Sequence, residues 1–140
     1  MNEISEIEVE RARPAPPRAL VVENDLSSRE LLTRVLRHKG VEAETAIGAG
    51  QAERILSEGT GRPYDLLLVD LNLEPVDGVE VLRHVASLPV GRRPGRIVAI
   101  GDSLTPFYAR LSEVKLELEL FQKPVHIPSL MKVVEGLRGG

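Results

Sequence analysis

The sequence of 140 residues contains no cysteine and no tryptophan. The missing cysteine excludes disulfide bonds and thiolate metal sites, and it fits a reducing compartment. Aromatic residues make up 3% of the chain, so stacking platforms for single-stranded nucleic acid or sugars are scarce. No apolar run is long enough to cross a bilayer, and the first residues lack the pattern of a signal peptide. These absences favour a soluble, cytoplasmic protein.

The net charge of −3 gives no reason to expect nucleic acid or an anionic membrane as a partner. With 42% hydrophobic residues, a chain of this length predicts one domain with a sizeable core. The first residues differ from the rest, because Pro14, Pro16 and Pro17 oppose regular structure there. We therefore predict a flexible N-terminal extension over residues 1–18 and a single domain over residues 19–140.

After the extension, short apolar runs alternate with segments whose apolar residues have helical spacing. The predicted strands cover residues 19–25, 41–46, 64–70, 96–102 and 118–124. The predicted helices cover residues 26–40, about 51–57, 76–89, 107–116 and 127–140. In the first helix Leu31, Leu32, Val35 and Leu36 have helical spacing, and Ser27 or Ser28 is available as N-cap. Five strands alternating with five helices predict a parallel sheet covered by helices on both faces.

The apolar runs LVV, LLLV and IVAI are typical of central strands that are buried on both faces. The segment VEAETA alternates apolar and acidic residues, which is typical of an edge strand with one wet face. The sequence therefore predicts the second strand at an edge of the sheet.

Charged residues follow the carboxyl ends of the predicted strands, where ligands bind in open parallel sheets. Glu23, Asn24 and Asp25 follow the first strand, Asp70 ends the third, and Lys123 follows the core of the fifth. A carboxylate held there can attack a phosphoryl donor and form an acyl phosphate. That chemistry requires Mg²⁺ on hard oxygen ligands and a fixed positive charge, such as Lys123. The structural alternative is that these acids cap helices and that the lysine pairs with them.

The segment from Ala19 to about Leu137 resembles the receiver domain of two-component response regulators, the CheY-like family. The resemblance rests on LVVEND at the position of the family's acid pair, DLLLVDLNLEPVDG around Asp70, and FQKP at Lys123. Arg29 and the Asp77-Gly78 turn also match. The resemblance implies an α/β fold, a flavodoxin-like doubly wound five-stranded parallel sheet in the order 2-1-3-4-5 with five helices. It implies a signalling domain that is not an enzyme.

The resemblance also implies a role for each of five residues. Asp70 matches the phosphoacceptor, and Lys123 matches the lysine that pairs with it. Glu23 and Asn24 match the pair of acids that contact Mg²⁺, and Asn72 matches the residue whose backbone carbonyl binds Mg²⁺. Asp70 completes this expected set of metal ligands, and the family's Lys-Pro bond is often cis.

Three positions depart from the family pattern. Asn24 replaces an aspartate and brings no charge, so we expect weakened Mg²⁺ binding, with Asp25 as a possible substitute ligand. Gly101 replaces a threonine or serine whose hydroxyl bonds the phosphoryl group, and Leu120 replaces an aromatic residue that changes rotamer on activation. Both members of the hydroxyl–aromatic couple are therefore absent.

Two hypotheses follow from this pattern. In the first, Asp70 accepts a phosphoryl group, and the domain signals through protein contacts. In the second, the chain is a pseudo-receiver, a protein-binding module that works without phosphorylation. A flavodoxin-like enzyme or nucleotide binder is a third class, but the turn ENDLSS has no glycine and matches neither a Rossmann fingerprint nor a Walker loop.

The partners implied by the resemblance are a histidine kinase or a phosphotransfer protein upstream and a protein partner downstream. We expect neither nucleic acid nor a membrane. The fourth helix and fifth strand are unusually apolar, which predicts a candidate interface; its residues are Leu111, Val114, Leu116, Leu118 and Leu120. In the family the surface of helix 4, strand 5 and helix 5 dimerises, so a homodimer through it is a further expectation.

Overall fold

Five parallel strands form one sheet in the computed structural model, which describes residues 15–59 and 61–137. Their order is β2-β1-β3-β4-β5, and every neighbouring pair is parallel. The strands are β1 (Arg18–Val22), β2 (Glu42–Ala46), β3 (Leu66–Asp70), β4 (Arg96–Gly101) and β5 (Glu119–Gln122). The predicted fold class and strand order are confirmed, with β2 at one edge.

Helices cover both faces of the sheet. They are α1 (Leu26–His38), α2 (Ala49–Glu58), α3 (Gly78–Ser87), α4 (Tyr108–Val114) and α5 (Ile127–Glu135), with 3-10 turns at Val90–Arg92 and Thr105–Phe107. Apolar residues of α1 and α5 pack on one face, and those of α2, α3 and α4 pack on the other. No helix in the described part of the chain is long and apolar enough to span a membrane.

The central strands contribute alternate residues to the two cores. In β3, Leu67 and Val69 belong to the core beneath α2, α3 and α4, whereas Leu66 and Leu68 belong to the core beneath α1 and α5. All four side chains have an exposed fraction of 0%. Two-sided burial therefore explains why this strand is a continuous apolar run, because a polar residue on either face would lose its water.

Several element boundaries differ from the predictions. The N-cap of α1 is Asp25, whose side chain accepts a hydrogen bond from the Ser28 amide at 2.8 Å, and neither predicted serine serves as the cap. Helix α4 ends at Val114 because Lys115 adopts the left-handed conformation, with φ 59°. Leu31 has helical spacing in the sequence but is 53% exposed, because it lies beside the buried stripe rather than within it.

The predicted N-terminal extension falls mostly outside the described residues, which begin at residue 15. The described part of it is attached to the domain: the carbonyl of Pro17 accepts from the Glu42 amide at 2.8 Å. The carbonyl of Pro16 accepts from Arg62 Nη2 at 2.9 Å, and Arg18 already belongs to β1. The first strand thus begins one residue before the predicted boundary of the domain.

An ion pair joins the start of α3 to α4. Asp77 is the N-cap of α3 and accepts from the Val79 amide at 3.0 Å. Arg110 of α4 donates to both carboxylate oxygens of Asp77, at 2.6 and 3.1 Å. Burial works to raise the pKa of Asp77, but Arg110 and the helix amides outweigh it and hold that pKa below its usual value. This two-pronged contact fixes the loop that follows β3.

Gly78 lies against the backbone of β3, and we expect Gly78→Ala to destabilise the fold. A Cβ atom there would overlap the carbonyl oxygen of Asp70 and lie 2.9 Å from the Cα of Leu71. Because these neighbours are backbone atoms, no side chain can rotate away to relieve the overlap. The free energy of unfolding should fall by about 3 kcal/mol, measured by denaturant titration with circular dichroism.

Gly50→Ala is the matched control, because an added Cβ at Gly50 meets no atom within 4 Å. It should change the free energy of unfolding by less than about 1 kcal/mol. Equal stability of the two variants would contradict the close approach of Gly78 to β3.

The lowered pKa of Asp77 makes the contact with Arg110 sensitive to acid. Its charge contributes stability above the unfolded-state value of 3.8, and that contribution is lost as the pH falls through the lower folded-state pKa. Asp77→Asn keeps a capping oxygen and loses the charge, so we expect a loss of about 1 kcal/mol or less near neutral pH. Denaturant titrations across the acid range should show the two chains converging in stability, and a gap independent of pH would contradict the ion pair.

Candidate functional site

Glu23, Asp70 and Lys123 lie together at the carboxyl edge of the sheet. Asp70 is the last residue of β3, and the other two follow β1 and β5. Lys123 Nζ is 2.9 Å from Asp70 Oδ2 and 3.3 Å from Glu23 Oε2. The exposed fraction is 0% for Glu23 and 2% for Asp70. The structure therefore brings the three charged residues that the sequence singled out into mutual contact.

Hydrogen bonds of the sheet continue past the strand ends and fix the backbone of these residues. The Glu23 amide donates to the Ala46 carbonyl at 3.0 Å, which extends the pairing of β1 with β2. The Lys123 amide donates to the Gly101 carbonyl at 2.8 Å, which extends the pairing of β4 with β5. The Lys123–Pro124 peptide bond is cis. The site is thus an extension of the sheet rather than a loop feature.

Burial and neighbouring charges shift the pKa values of Glu23 and Lys123. Burial and the neighbouring Asp70 raise the pKa of Glu23, against the opposing effects of the Asp25 amide and Lys123. Burial works to lower the pKa of Lys123, but its hydrogen bond to Asp70 and the charges of both carboxylates raise that pKa overall. Lys123 therefore stays cationic at neutral pH, and its charge is shared between two acids.

One oxygen of Glu23 has no hydrogen-bond donor. Glu23 Oε1 accepts from the Asp25 amide at 3.0 Å. Oε2 is buried, and among the described residues no group donates a hydrogen bond to it. Lys123 Nζ is near this oxygen but lies off the direction that a hydrogen bond requires. A buried carboxylate oxygen without a donor is costly, and a cation would relieve that cost.

Asn24 and Asp25 lie at the rim of the site, and both are exposed. Asp25 caps α1, and its hydrogen bond to the Ser28 amide lowers its pKa. Arg29 donates to the carbonyl of Glu23 at 3.0 Å and thereby holds the turn that carries Asn24. The capping role leaves Asp25 committed to the helix rather than turned into the site as a substitute ligand.

Asn72 makes contacts that the sequence did not predict. Its backbone amide donates to Asp70 Oδ1 at 2.9 Å. Its side-chain Oδ1 accepts from the Asp102 amide at 2.8 Å, and so it links the loop after β3 to the loop after β4. The sequence identified only the carbonyl of Asn72, through the family resemblance. No spacing pattern signals the side-chain contact, because the two residues are 30 positions apart.

The two positions that lack the usual hydroxyl and aromatic groups are both well packed. A Cβ atom at Gly101 would lie 3.3 Å from Asn72 Oδ1 and 3.4 Å from Leu104 Cδ2. Leu120 is half-buried and packs against the core beneath α2, α3 and α4. Leu116 and Leu118 pack there as well, so part of the predicted apolar interface is turned inward.

The donor atoms of the site suit Mg²⁺. Nowhere in residues 15–59 or 61–137 do three His, Cys, Asp or Glu side chains converge as a metal cluster. The site instead offers the carboxylates of Glu23 and Asp70, and the carbonyl of Asn72 and the side chain of Asn24 stay predicted ligands. Mg²⁺ commonly binds through one or two carboxylates and keeps several waters, so these hard oxygen atoms fit it. Glu23 Oε2, which accepts no hydrogen bond from the described residues, would gain a partner from a bound cation.

Sequence comparison identifies similar proteins. A family model described as the response regulator receiver domain matches residues 19–135. The transcriptional regulatory protein AruR of Pseudomonas aeruginosa is 39% identical over 71 residues, which are 49% of this chain and 29% of AruR. The sensory/regulatory protein RpfC of Xanthomonas campestris is 27% identical over 128 residues, which are 91% of this chain and 17% of RpfC. The chain thus spans less than a third of the length of either relative.

Solved structures share the fold. A response regulator receiver protein from Pseudomonas putida has a TM-score of 0.73 and 24% identity over 87% of this chain and 98% of its own. The receiver domain of the sensor histidine kinase PA1611 from Pseudomonas aeruginosa, with magnesium in its active-site cleft, has a TM-score of 0.73 and 22% identity over 86% of this chain and 96% of its own.

A third structure contains a complex, that of the Saccharomyces cerevisiae histidine phosphotransfer protein Ypd1 with the receiver domain of its downstream response regulator Ssk1. The match has a TM-score of 0.68 and 22% identity over 87% of this chain and 89% of that one. Fold, strand order and the family match over residues 19–135 agree with the resemblance seen in the sequence. The chain belongs to the response regulator receiver domain family of two-component signalling.

Proposed function

We propose that this chain is a cytoplasmic signalling module, not an enzyme with a substrate of its own, and that Asp70 accepts a phosphoryl group from a histidine kinase or a phosphotransfer protein. The observation that carries the proposal is the contact of Asp70 Oδ2 with Lys123 Nζ at 2.9 Å, opposite the buried Glu23. A nucleophile and a fixed cation are thus already aligned at one edge of the sheet.

The transfer step forms one bond to phosphorus and breaks one. A carboxylate oxygen of Asp70 attacks the phosphorus of a phosphohistidine, and the bond between phosphorus and the imidazole nitrogen breaks. The nitrogen keeps the electron pair and takes up a proton, and Asp70 becomes an acyl phosphate. Lys123 stabilises the negative charge on the transferred oxygens, since its raised pKa keeps it cationic.

Magnesium is the cofactor that these residues fit. Glu23, Asp70, the carbonyl of Asn72 and the side chain of Asn24 would hold it. Mg²⁺ neutralises charge on transferring phosphoryl oxygens when it is bound. Support comes from the undonated oxygen of Glu23 and from the magnesium in the receiver domain of PA1611. Asn24 contributes no charge, so the affinity of this site should be lower than that of a site with three acids.

The surface beside Asp70 suits the approach of a donor protein. A cavity of about 430 Å³ lies between α1 and the segment after β5, and Leu31, Ile100, Lys123 and Val125 are among its lining residues. Leu26 is 58% exposed at the start of α1. Exposed apolar surface beside a charged site favours contact with a partner protein. The complex of Ypd1 with a receiver domain supports a phosphotransfer protein as one class of donor.

A pseudo-receiver, working as a binding module without phosphorylation, is the second candidate. Gly101 and Leu120 favour it, because they remove the hydroxyl and the aromatic ring that respond to a phosphoryl group in the family. A homodimer through α4, β5 and α5 also stays a prediction. The inward packing of Leu116, Leu118 and Leu120 weakens its apolar basis.

The first prediction of this proposal is that acetyl phosphate with Mg²⁺ labels Asp70. Asp70→Asn should abolish the labelling, because an amide nitrogen or oxygen does not replace the nucleophilic carboxylate. The label should be released by hydroxylamine, and mass spectrometry locates it. Asp25→Asn is the matched control, since Asp25 is an exposed carboxylate that caps α1, and it should keep the label. Persistent failure of labelling in excess Mg²⁺ would favour the pseudo-receiver.

The second prediction concerns metal affinity. Asn24→Asp adds a carboxylate at the rim of the site, so we expect Mg²⁺ to bind at least about fivefold more tightly by calorimetric titration. Asn24→Ser, which is also uncharged, is the control for loss of the native side chain. Equal affinities of the Asn24→Asp variant and the native chain would mean that the neutral side chain does not limit binding.

A further inference from the structure

A polar side chain, that of Asn72, occupies the space beside Gly101, where the family has a hydroxyl group. Asn72 Oδ1 accepts from the Asp102 amide at 2.8 Å and lies 3.3 Å from where a Cβ atom of Gly101 would stand. The oxygen assignment of this side-chain amide is fixed by chemistry, since a backbone N–H requires an acceptor. The Asn72 side chain thus fills the space next to Gly101 with a polar group from the opposite loop.

The same residue is tied to Asp70 at its other end. The Asn72 amide donates to Asp70 Oδ1 at 2.9 Å, and Asp70 Oδ2 is the oxygen that contacts Lys123. Two hydrogen bonds, joined by the short side chain of Asn72, therefore connect the acceptor carboxylate to the backbone of Asp102. The path crosses from the loop after β3 to the loop after β4.

We propose that Asn72 is a positioning residue that couples the occupancy of Asp70 to the loop between β4 and α4, in place of the hydroxyl missing at Gly101. This inference rests on the proposed function of Asp70. Transfer of a phosphoryl group turns the carboxylate into a neutral acyl group. The oxygen that faces Asn72 then becomes a weaker acceptor, because charge-assisted hydrogen bonds are about twice as strong as neutral ones.

A weaker hydrogen bond from the Asn72 amide to Asp70 lets Asn72 shift, and this changes the hydrogen bond between its side chain and the Asp102 amide. Asp102 is an exposed residue and its hydrogen bond to Asn72 Oδ1 lies at the surface, so this bond can exchange for one to solvent at small cost. Leu104 lies next to Gly101, is half-buried in the core, and leads into α4 through the turn Thr105–Phe107. A shift of Asp102 therefore reaches a side chain that is part of the packing. A ligand shifts a conformational equilibrium only through such differential contacts.

The test is the response of the Asp102 backbone amide to beryllofluoride with Mg²⁺, a mimic of the phosphoryl group. Amide resonances of the full ¹⁵N-labelled chain are followed to saturation, so that changes in affinity do not enter the comparison. In the native chain the amides of Leu71 and Asp102 should both shift. In Asn72→Ala the saturated shift of Asp102 should fall at least about twofold relative to that of Leu71.

Two further variants separate coupling from a merely structural role. Asn72→Asp keeps an acceptor oxygen and should restore much of the Asp102 response. Gly101→Ser combined with Asn72→Ala supplies a hydroxyl at the vacated place and should restore it by a different group. Ser103→Ala, an exposed change in the same loop, is the matched control and should leave the response as in the native chain.

The outcomes distinguish this inference from the proposed function. If Leu71 responds and the saturated shift of Asp102 is the same in the native chain and in Asn72→Ala, the coupling is overturned and the proposed function stands. If Asp102 does not shift in the native chain although Leu71 does, the coupling is likewise overturned and the proposed function stands. If neither amide shifts and acetyl phosphate fails to label Asp70, the proposed function is overturned and the coupling falls with it.

Discussion

The ammonium group of Lys123 holds two buried carboxylates together, and the site at the carboxyl edge of the sheet depends on that contact. Removing a carboxylate from water costs several kcal/mol unless a partner offsets it. Glu23 and Asp70 are both essentially unexposed, and Lys123 contacts each of them. β1 and β3 are neighbours, which brings the acids side by side, whereas Lys123 follows β5, two strands away from β3. Its long side chain is what closes that distance.

The single charge of Lys123 does not neutralise both carboxylates, and this excess of negative charge bears on metal binding. One positive charge faces two acids, the pKa of Glu23 is raised, and its Oε2 receives no hydrogen bond within the described part of the chain. A site with surplus negative charge in a dry setting favours a cation, and a bound cation in turn favours an incoming phosphoryl group. The electrostatic cost of placing two buried carboxylates beside one ammonium group is thus what would favour binding of a metal ion.

The apolar pattern of the strands and the charged residues at their ends predicted the general arrangement of this site. Continuous apolar runs identified β1, β3 and β4 as central strands. The positions of Glu23, Asp70 and Lys123 at the ends of the predicted strands identified these residues as neighbours. These features are legible because two-sided burial and parallel pairing impose strong local constraints. Identification of the carbonyl of Asn72 came from the family resemblance and not from any pattern in this chain.

Contacts between distant loops were beyond the reach of such reasoning. The hydrogen bond from Asp102 to the Asn72 side chain and the ion pair of Arg110 with Asp77 depend on how loops after different strands approach each other. The N-cap of α1 was missed for a related reason. Asp25, Ser27 and Ser28 are all residue types that cap helices well, and which of them becomes the N-cap depends on how soon after β1 the helix begins.

Of the three departures from the family pattern, Asn24 lies beside the groups that would accept a phosphoryl group, and Gly101 and Leu120 replace the groups that respond to it in the family. Asp70, Lys123 and Glu23, which phosphoryl transfer would use, lie at or directly after the ends of β3, β5 and β1. Gly101 and Leu120 belong to β4 and β5, on the side that leads to α4. Leu120 packs into the core and has no polar tip that a hydroxyl could draw. The residues that would accept a phosphoryl group are therefore different from the two positions that lack the family's hydroxyl and aromatic groups. A signal from Asp70 toward α4 would not use the family's hydroxyl and aromatic ring, because both groups are missing, whereas the contact of the Asn72 side chain with the Asp102 amide is present.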